Sequence, residues 1–141
     1  MKRIFVLVGV LIFSACSKND PENRCNYLLN VGVDVMVNLN LPQYSQLEFP
    51  GNTVYIGGYG NAGIYLSNSG NQFRAFDAAD PNHAPSSCSL LVQDGGVGTC
   101  GCEDENQYSL ATGLPFNTDV QCVMKEYRVE SAGGNLLHIY N

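Results

Sequence analysis

The segment VGVDVMVNLNL, residues 31–41, decides the fold class of this 141-residue chain. Valine or leucine occupies every second position, six times in all, and the positions between them hold Gly, Asp, Met and Asn. Successive side chains of a β-strand point to opposite faces of a sheet, so this alternation predicts a strand with one buried face. Pro42 follows at once and is expected to end the strand, because proline has no N–H to donate to a neighbouring strand.

The rest of the chain repeats this pattern in shorter segments. Turns rich in Gly, Asn or Asp, such as GYGN, NSGN, DGG and AGGN, separate seven further candidate strands. Helical periodicity does not extend over more than about ten residues anywhere. Short strands joined by tight turns predict an all-β fold, a small antiparallel sandwich or barrel. The seven candidate strands are residues 53–57, 63–67, 73–77, 89–93, 107–111, 123–130 and 136–140.

The N-terminal residues have the composition of an export signal. Lys2 and Arg3 precede the apolar run 4–13, which is shorter than the roughly 20 residues that a membrane-spanning helix needs. The run ends in FSAC (13–16), which resembles a bacterial lipobox, and we expect Cys16 to become the lipidated first residue of the mature chain. The predicted organisation is a lipoprotein signal peptide over 1–15, the lipidated cysteine and a polar tether over 16–25, and one β domain over 26–141.

These signals predict a lipid-anchored protein of the bacterial cell envelope, on the periplasmic or the surface-exposed leaflet of the outer membrane. The tether begins SKND (17–20), similar to the short acidic tether of surface lipoproteins in the Bacteroidetes. Removal of the signal takes away Lys2 and Arg3 and leaves five basic against thirteen acidic residues, a net charge of −8. Nucleic-acid binding requires basic patches, so we expect no nucleic-acid partner. Membrane attachment is expected to depend on the lipid rather than on charge.

Two polar loops interrupt the regular spacing of the strands. AADPNHAPSS (78–87) and TCGCEDEN (99–106) flank a hairpin, residues 89–98, whose turn is DGG (94–96). Loops at neighbouring hairpin ends are a natural place for a site, because loops carry binding residues on a rigid scaffold. The three successive acids 103–105 are interpreted as a solvated loop tip, since calcium loops alternate their ligands.

The order of these features resembles the Rieske iron–sulfur domain over residues 50–141. A strand ending FRAFD (73–77) leads to a loop, a hairpin, a Cys-x-Cys loop and YSLATG (108–113), and a closing hairpin covers 124–140. In that family two thiolates hold one iron of a [2Fe–2S] cluster and two imidazoles hold the other, from a Cys-x-His and a Cys-x-x-His loop. The resemblance implies a Rieske-like antiparallel β domain with two loops at the cluster-site end, beside which residues 26–49 add outer strands.

The residues at the family's ligand positions do not match the family. In this register the first loop places Asp80 and Asn82 at ligand positions, and the second loop places Cys100 and Glu103 there. Carboxylate and amide oxygens are hard donors, poorly suited to replace thiolates around a cluster. We therefore expect neither a [2Fe–2S] cluster nor another cofactor in this domain.

A zinc site is the open alternative at these loops. A shift of one residue would make His83 a ligand, and Cys88, Cys100 and Cys102 would complete a set suited to zinc. The spacing of these residues matches no strong zinc pattern. The competing interpretation of His83 is a solvated loop histidine beside a disulfide.

The resemblance also implies a pairing for two cysteines. Some Rieske domains join their cluster loops by a disulfide, from a cysteine just after the first ligand pair to one between the ligands of the second. Cys88 and Cys102 stand near those places, and an oxidising compartment would preserve the bond.

Three further cysteines remain once Cys16 is lipidated. Cys25, Cys100 and Cys122 cannot all pair within one molecule. A Cys25–Cys122 disulfide, our second hypothesis, would join the N-terminal strand region to the start of the closing hairpin. Cys100 would then be a free thiol, which its acidic neighbours make unreactive.

The sequence is interpreted as a non-enzymatic, envelope-anchored lipoprotein. Its Rieske-like domain would have lost its cluster and would bind, or give structure to, an unknown envelope protein or ligand. The alternative is a Rieske-type electron-transfer protein that holds an iron–sulfur cluster or another metal through non-standard ligands. No enzyme is expected, because no G-x-S-x-G or phosphate-binding loop occurs. The family's oxygenases also need a separate catalytic domain for which this length leaves no room.

Overall fold

The structure, a computed structural model, describes residues 25–141, and the all-β prediction is confirmed there. All strand pairs are antiparallel. The predicted signal peptide and Cys16 lie outside the described residues. Across residues 25–141 no helix has the length and apolarity needed to cross a bilayer. The elements are β1 (Asp34–Asn38), a 3₁₀ helix (Pro42–Glu48), β2 (Thr53–Ile56), β3 (Ile64–Asn68), β4 (Phe73–Asp77), β5 (Leu91–Asp94), β6 (Val97–Cys100), β7 (Gln107–Ser109), β8 (Glu126–Gly133) and β9 (Leu136–Tyr140).

The strands form two sheets with separate cores. A six-stranded sheet has the order β1-β9-β8-β4-β3-β2, and a three-stranded sheet has the order β5-β6-β7. Strand β3 is buried on both faces: Ile64 and Leu66 pack into the core of the large sheet, whereas Tyr65 packs into the core of the small one. Phe76 of β4 and Tyr108 of β7 join Tyr65 in that second core. The small sheet is therefore held against strands from the middle of the large sheet.

Strand β1 is shorter than the alternating segment 31–41 that predicted it. It pairs with the five residues of β9, and the chain turns directly afterwards. The Asn40 and Leu41 N–H groups donate to the side chain and the main chain of Asn38, at 3.0 and 3.1 Å. Pro42 then begins the 3₁₀ helix instead of interrupting a strand. The local turn at Asn38 ended the strand before the proline could.

The closing hairpin and the strand before it also differ slightly from prediction. Strand β8 continues to Gly133, through an irregularity in the pairing between Ser131 and Gly133. Strand β7 ends at Ser109, two residues early, because the Gly113 N–H donates to the Ser109 carbonyl and makes a turn. Gly113 has φ of 74°, and a Cβ there would lie 2.5 Å from the Phe76 ring. Glycine at this place is required by both the backbone conformation and the packing.

Candidate functional site

The two polar loops meet at one end of the small sheet. The first connects β4 to β5 and the second connects β6 to β7. The predicted disulfides are present: Cys88 is bonded to Cys102 (S–S 2.00 Å) and joins the two loops. Gly101 lies beside this bond, and a Cβ there would approach the Cys88 carbonyl oxygen to 2.9 Å. The Cys-Gly-Cys order thus allows two backbones to pass in close contact.

Asp80 is the buried centre of the site. Its carboxylate accepts hydrogen bonds from the Tyr108 hydroxyl at 2.6 Å, the Asn82 main-chain N–H at 2.9 Å and the Asn106 amide at 3.0 Å. Burial by itself raises the pKa of this carboxyl, but hydrogen bonds from Tyr108, Asn82 and Asn106 together hold the pKa below its ordinary value. The same contact and burial raise the pKa of Tyr108. Asp80 is therefore a carboxylate that stays ionised despite being buried.

Cys100 is a buried free thiol next to this carboxylate. It donates to the Cys88 carbonyl oxygen, with the sulfur 3.7 Å from that oxygen. Burial, and after it the charges of Asp80 and Asp104, raises the pKa of the Cys100 thiol to about 12. At neutral pH the group is consequently a protonated thiol with little nucleophilic character.

His83 and Asp104 close the site on the solvent side. The His83 Nε2 lies 2.7 Å from the Asp104 Oδ2 and 3.7 Å from the Asp80 Oδ2. The Asn106 amide also donates to Asp104 at 2.7 Å, so it links the two carboxylates. One ligand atom from each of Asp80, His83, Cys100 and Asp104 lies within 4.8 Å of the other three. Two carboxylates, an imidazole and a thiol therefore share one small volume.

The structure brings together only some of the residues that the sequence register placed at ligand positions. Asp80 and Cys100 are neighbours, as the register requires. Asn82 acts instead as a hydrogen-bond donor, because its amide donates to the Tyr108 hydroxyl at 2.6 Å and its main-chain N–H to Asp80 at 2.9 Å. Glu103 is exposed and is absent from the four-residue cluster. The residues that converge are one position further along in each loop, His83 and Asp104.

The zinc set read from the sequence is wrong in two of its four members. Cys88 and Cys102 are bonded to each other, so their sulfurs have no thiolate to offer a metal. His83 is only partly exposed and is paired with Asp104, so it is not a freely solvated histidine either. Residues 103–105 are all exposed, as the interpretation of a solvated tip requires, and Asp104 among them also pairs with His83.

Asp104, Asn106 and Tyr108 are the site residues that sequence reasoning missed. Tyr108 counted there only as a strand residue, yet it is fully buried and holds Asp80 from 28 positions away. The one sequence signal that could have pointed to these residues was the presence of polar residues at both ends of a short strand that follows a loop. Such a signal does not indicate which residue they contact, because that residue, Asp80, lies in another loop.

A [2Fe–2S] cluster does not fit these residues. Two thiolates and two imidazoles would be required, and the convergent side chains offer one thiol and one imidazole. The Asp80 carboxylate, at a thiolate position, is already bonded to three donors. Over the described part of the chain, no buried side-chain nitrogen or oxygen lacks a hydrogen-bond partner.

Comparisons with known proteins found similarity in solved structures only. No protein-family model matches the sequence, and no curated protein matches it. A chain from the complex of reduced oxygenase and oxidised ferredoxin in carbazole 1,9a-dioxygenase is 19% identical with a TM-score of 0.47; the match covers 79% of this chain and 94% of that one.

Two other solved structures are similar to the same extent. The ferredoxin of carbazole 1,9a-dioxygenase from Nocardioides aromaticivorans IC177 is 18% identical with a TM-score of 0.47, covering 77% of this chain and 96% of that one. The putative NADH-dependent nitrite reductase small subunit from Mycobacterium tuberculosis is 15% identical with a TM-score of 0.46, covering 79% and 97%. These are likenesses of fold. By its own strand order, the described part of the chain is an antiparallel all-β domain of two sheets, with two loops joined by a disulfide at one end.

Proposed function

We propose that this protein is a lipid-anchored protein of the cell envelope whose Rieske-like domain works without a [2Fe–2S] cluster, as a non-catalytic binding or structural module. The observation that carries the proposal is the state of Asp80. It stands where the resemblance calls for a thiolate, and Tyr108, Asn82 and Asn106 already satisfy its carboxylate. A carboxylate oxygen does not provide the thiolate that an iron of a [2Fe–2S] cluster requires at this position.

The contacts between the loops support a structural role for this end of the domain. In a cluster-binding domain the metal cross-links the two loops. Here the Cys88–Cys102 disulfide does so covalently, and the Tyr108–Asp80 hydrogen bond joins β7 to the first loop. The loops can therefore present a rigid surface to a partner without a metal cluster.

The cysteine chemistry supports the envelope assignment. Two disulfides occur among residues 25–141, and such bonds persist in oxidising compartments and are rare in the cytosol. Cys25 lies nine residues after Cys16 in the sequence, so the Cys25–Cys122 bond fixes the domain close to the expected anchor. The partner would be another envelope protein or a ligand.

Metal analysis of the full chain tests the absence of the cluster. We expect the protein, purified anaerobically in detergent, to contain no iron and no acid-labile sulfide, and to be colourless. The Cys100→Ser variant should give the same result, because no cluster depends on that sulfur. About two irons per chain with visible charge-transfer bands, lost in Cys100→Ser, would contradict the proposal and favour electron transfer.

Replacement of the predicted lipidated cysteine tests the anchor. Cys16→Ala, expressed in a bacterial host that processes lipoproteins, should move the protein from the membrane fraction to the soluble fraction, since only the acyl chains hold it. Cys100→Ala is the matched control, because it removes a buried thiol far along the chain and should leave the protein in membranes. A Cys16→Ala protein that loses its signal peptide and still stays in the membranes like the control would refute lipid anchoring.

A further inference from the structure

The four-residue cluster carries an excess of negative charge. Asp80 and Asp104 are carboxylates, Cys100 is buried beside them, and His83 is the single basic side chain paired with them among the described residues. The three Lys and Arg side chains of residues 25–141 are engaged elsewhere. Arg74 pairs with Glu126, Lys125 donates to the Leu29 carbonyl, and Arg128 lies over the Tyr140 ring.

Hydrogen bonds from neighbouring residues orient the two carboxylates of the cluster. Tyr108 and the Asn82 N–H both bond the Oδ1 of Asp80, which turns Oδ2 towards His83. The Asn106 amide contacts Asp80 Oδ2 and Asp104 Oδ2 together, and so sets the spacing of the two carboxylates. Metal sites in proteins are typically supported in this way, with each ligand held by a hydrogen bond from an outer residue.

Solvent reaches the cluster from one side. His83 and Asp104 are partly exposed and line a surface groove together with Gly101, Glu103 and the Cys88–Cys102 bond. Asp80 and Cys100 lie behind them and are buried. The groove therefore leads to the paired His83 and Asp104 side chains, which stand between solvent and the inner carboxylate and thiol.

We propose that Asp80, His83, Cys100 and Asp104 bind a single divalent transition-metal ion of the zinc type. One sulfur, one nitrogen and two oxygens form a mixed set that a borderline ion such as Zn²⁺ accepts in tetrahedral geometry. Calcium and magnesium select oxygen ligands only, so the thiol and the imidazole argue against them. Binding releases the Cys100 thiol proton to solvent and replaces the His83–Asp104 hydrogen bond by bonds to the metal.

The geometry requires only modest movements: the more distant ligand atoms must approach one another, and the His83 and Asp104 atoms must separate from their present 2.7 Å. Zinc–ligand bonds of about 2.0–2.3 Å place tetrahedral ligand atoms roughly 3.3–3.8 Å apart, whereas these atoms now lie within 4.8 Å. His83 and Asp104, on exposed loop segments, are the members that would move. The site differs from the set read from the sequence, since Asp80 and Asp104 replace the disulfide-bonded Cys88 and Cys102.

Titration of the metal-stripped full chain with Zn²⁺ tests this site, with the disulfides kept intact. We expect one ion per chain by calorimetry. With Co²⁺ as the probe, we expect a thiolate-to-metal absorption band that the Cys100→Ser variant lacks. His83→Gln and Asp104→Asn should each weaken Zn²⁺ binding at least about ten-fold.

His138→Gln provides the matched control. His138 pairs with Asp34 through Nε2 at 2.8 Å, much as His83 pairs with Asp104, but no thiol or second carboxylate joins that pair. Zn²⁺ binding should therefore be unchanged in this variant. No binding by the wild-type chain, or equal losses in His83→Gln and His138→Gln, would overturn the proposal.

The inference rests on the proposed absence of the cluster, because both metals would use Cys100. Elemental analysis separates the two failures. Zinc bound without iron supports both proposals, and iron with labile sulfide overturns both. A protein that contains neither metal and does not bind added Zn²⁺ overturns the zinc site alone.

Discussion

Replacing Cys25 and Cys122 together by serine is expected to lower the free energy of unfolding by about 4–5 kcal/mol. The two cysteines are 97 positions apart, so their bond closes a loop that spans most of the described chain. In the chain-entropy account, a disulfide stabilises by restricting the unfolded state, and the restriction grows with the length of the loop. Removing both cysteines leaves no unpaired thiol behind at this position.

Urea unfolding without reductant measures the loss, and the second disulfide is the comparison. Cys88 and Cys102 are only 14 positions apart, so the double serine variant there should lose about 3 kcal/mol. The difference between the two variants, roughly 1.7 kcal/mol, follows from loop length alone. Equal losses, or a larger loss for the shorter loop, would show that native-state contacts and not chain entropy dominate.

Asp77→Ala is expected to lower the free energy of unfolding by about 4 kcal/mol. Asp77 is fully buried at the end of β4. Its carboxylate accepts from the Tyr127 hydroxyl at 2.6 Å, from the main chain and side chain of Asn61 at 2.8 and 2.9 Å, and from the Ala79 N–H at 3.0 Å. Alanine would leave the buried Tyr127 hydroxyl and Ala79 N–H without this acceptor, and each unsatisfied buried group costs about 1–3 kcal/mol.

Asp34→Ala is the control for that measurement. Its side chain is 85% exposed and pairs with His138, so its loss should stay below about 1 kcal/mol. A second comparison, Tyr127→Phe alone and combined with Asp77→Ala, measures the Tyr127–Asp77 coupling, since in the double variant neither partner is left to be unsatisfied. An Asp77→Ala loss no larger than that of Asp34→Ala would contradict the importance of this network.

Asp77 and Asp80 show why the fold was easier to predict than the site. Both are acids in or just after a strand, and nothing local in the sequence marks them as buried. Each is nevertheless completely enclosed and bonded to a tyrosine hydroxyl from another part of the chain, Tyr127 for one and Tyr108 for the other. Burial of a charge depends on distant partners, which a periodic pattern does not contain.

The site was predicted in outline. The register that named Asp80 and Cys100 placed them correctly next to each other, and both disulfide pairs were named from the resemblance and from the remaining cysteines. The outer positions were misplaced by one residue in each loop. The reason is that side chains in a loop do not point in regularly alternating directions. A small change in the path of the backbone therefore decides whether Asn82 or His83 faces the site, and the sequence does not show which.

The sequence by itself determined the features that repeat locally: the alternating strands, the glycine turns, the all-β class and an N-terminus typical of export. Side-chain direction in a strand reverses at every residue, so a short segment such as 31–41 is sufficient to show which face is buried. Only the tertiary structure decided that Asp80, His83, Cys100 and Asp104 converge, because the packing of two loops sets the distances between them. That packing depends on the Cys88–Cys102 bond and on Tyr108, which lie outside the four-residue cluster.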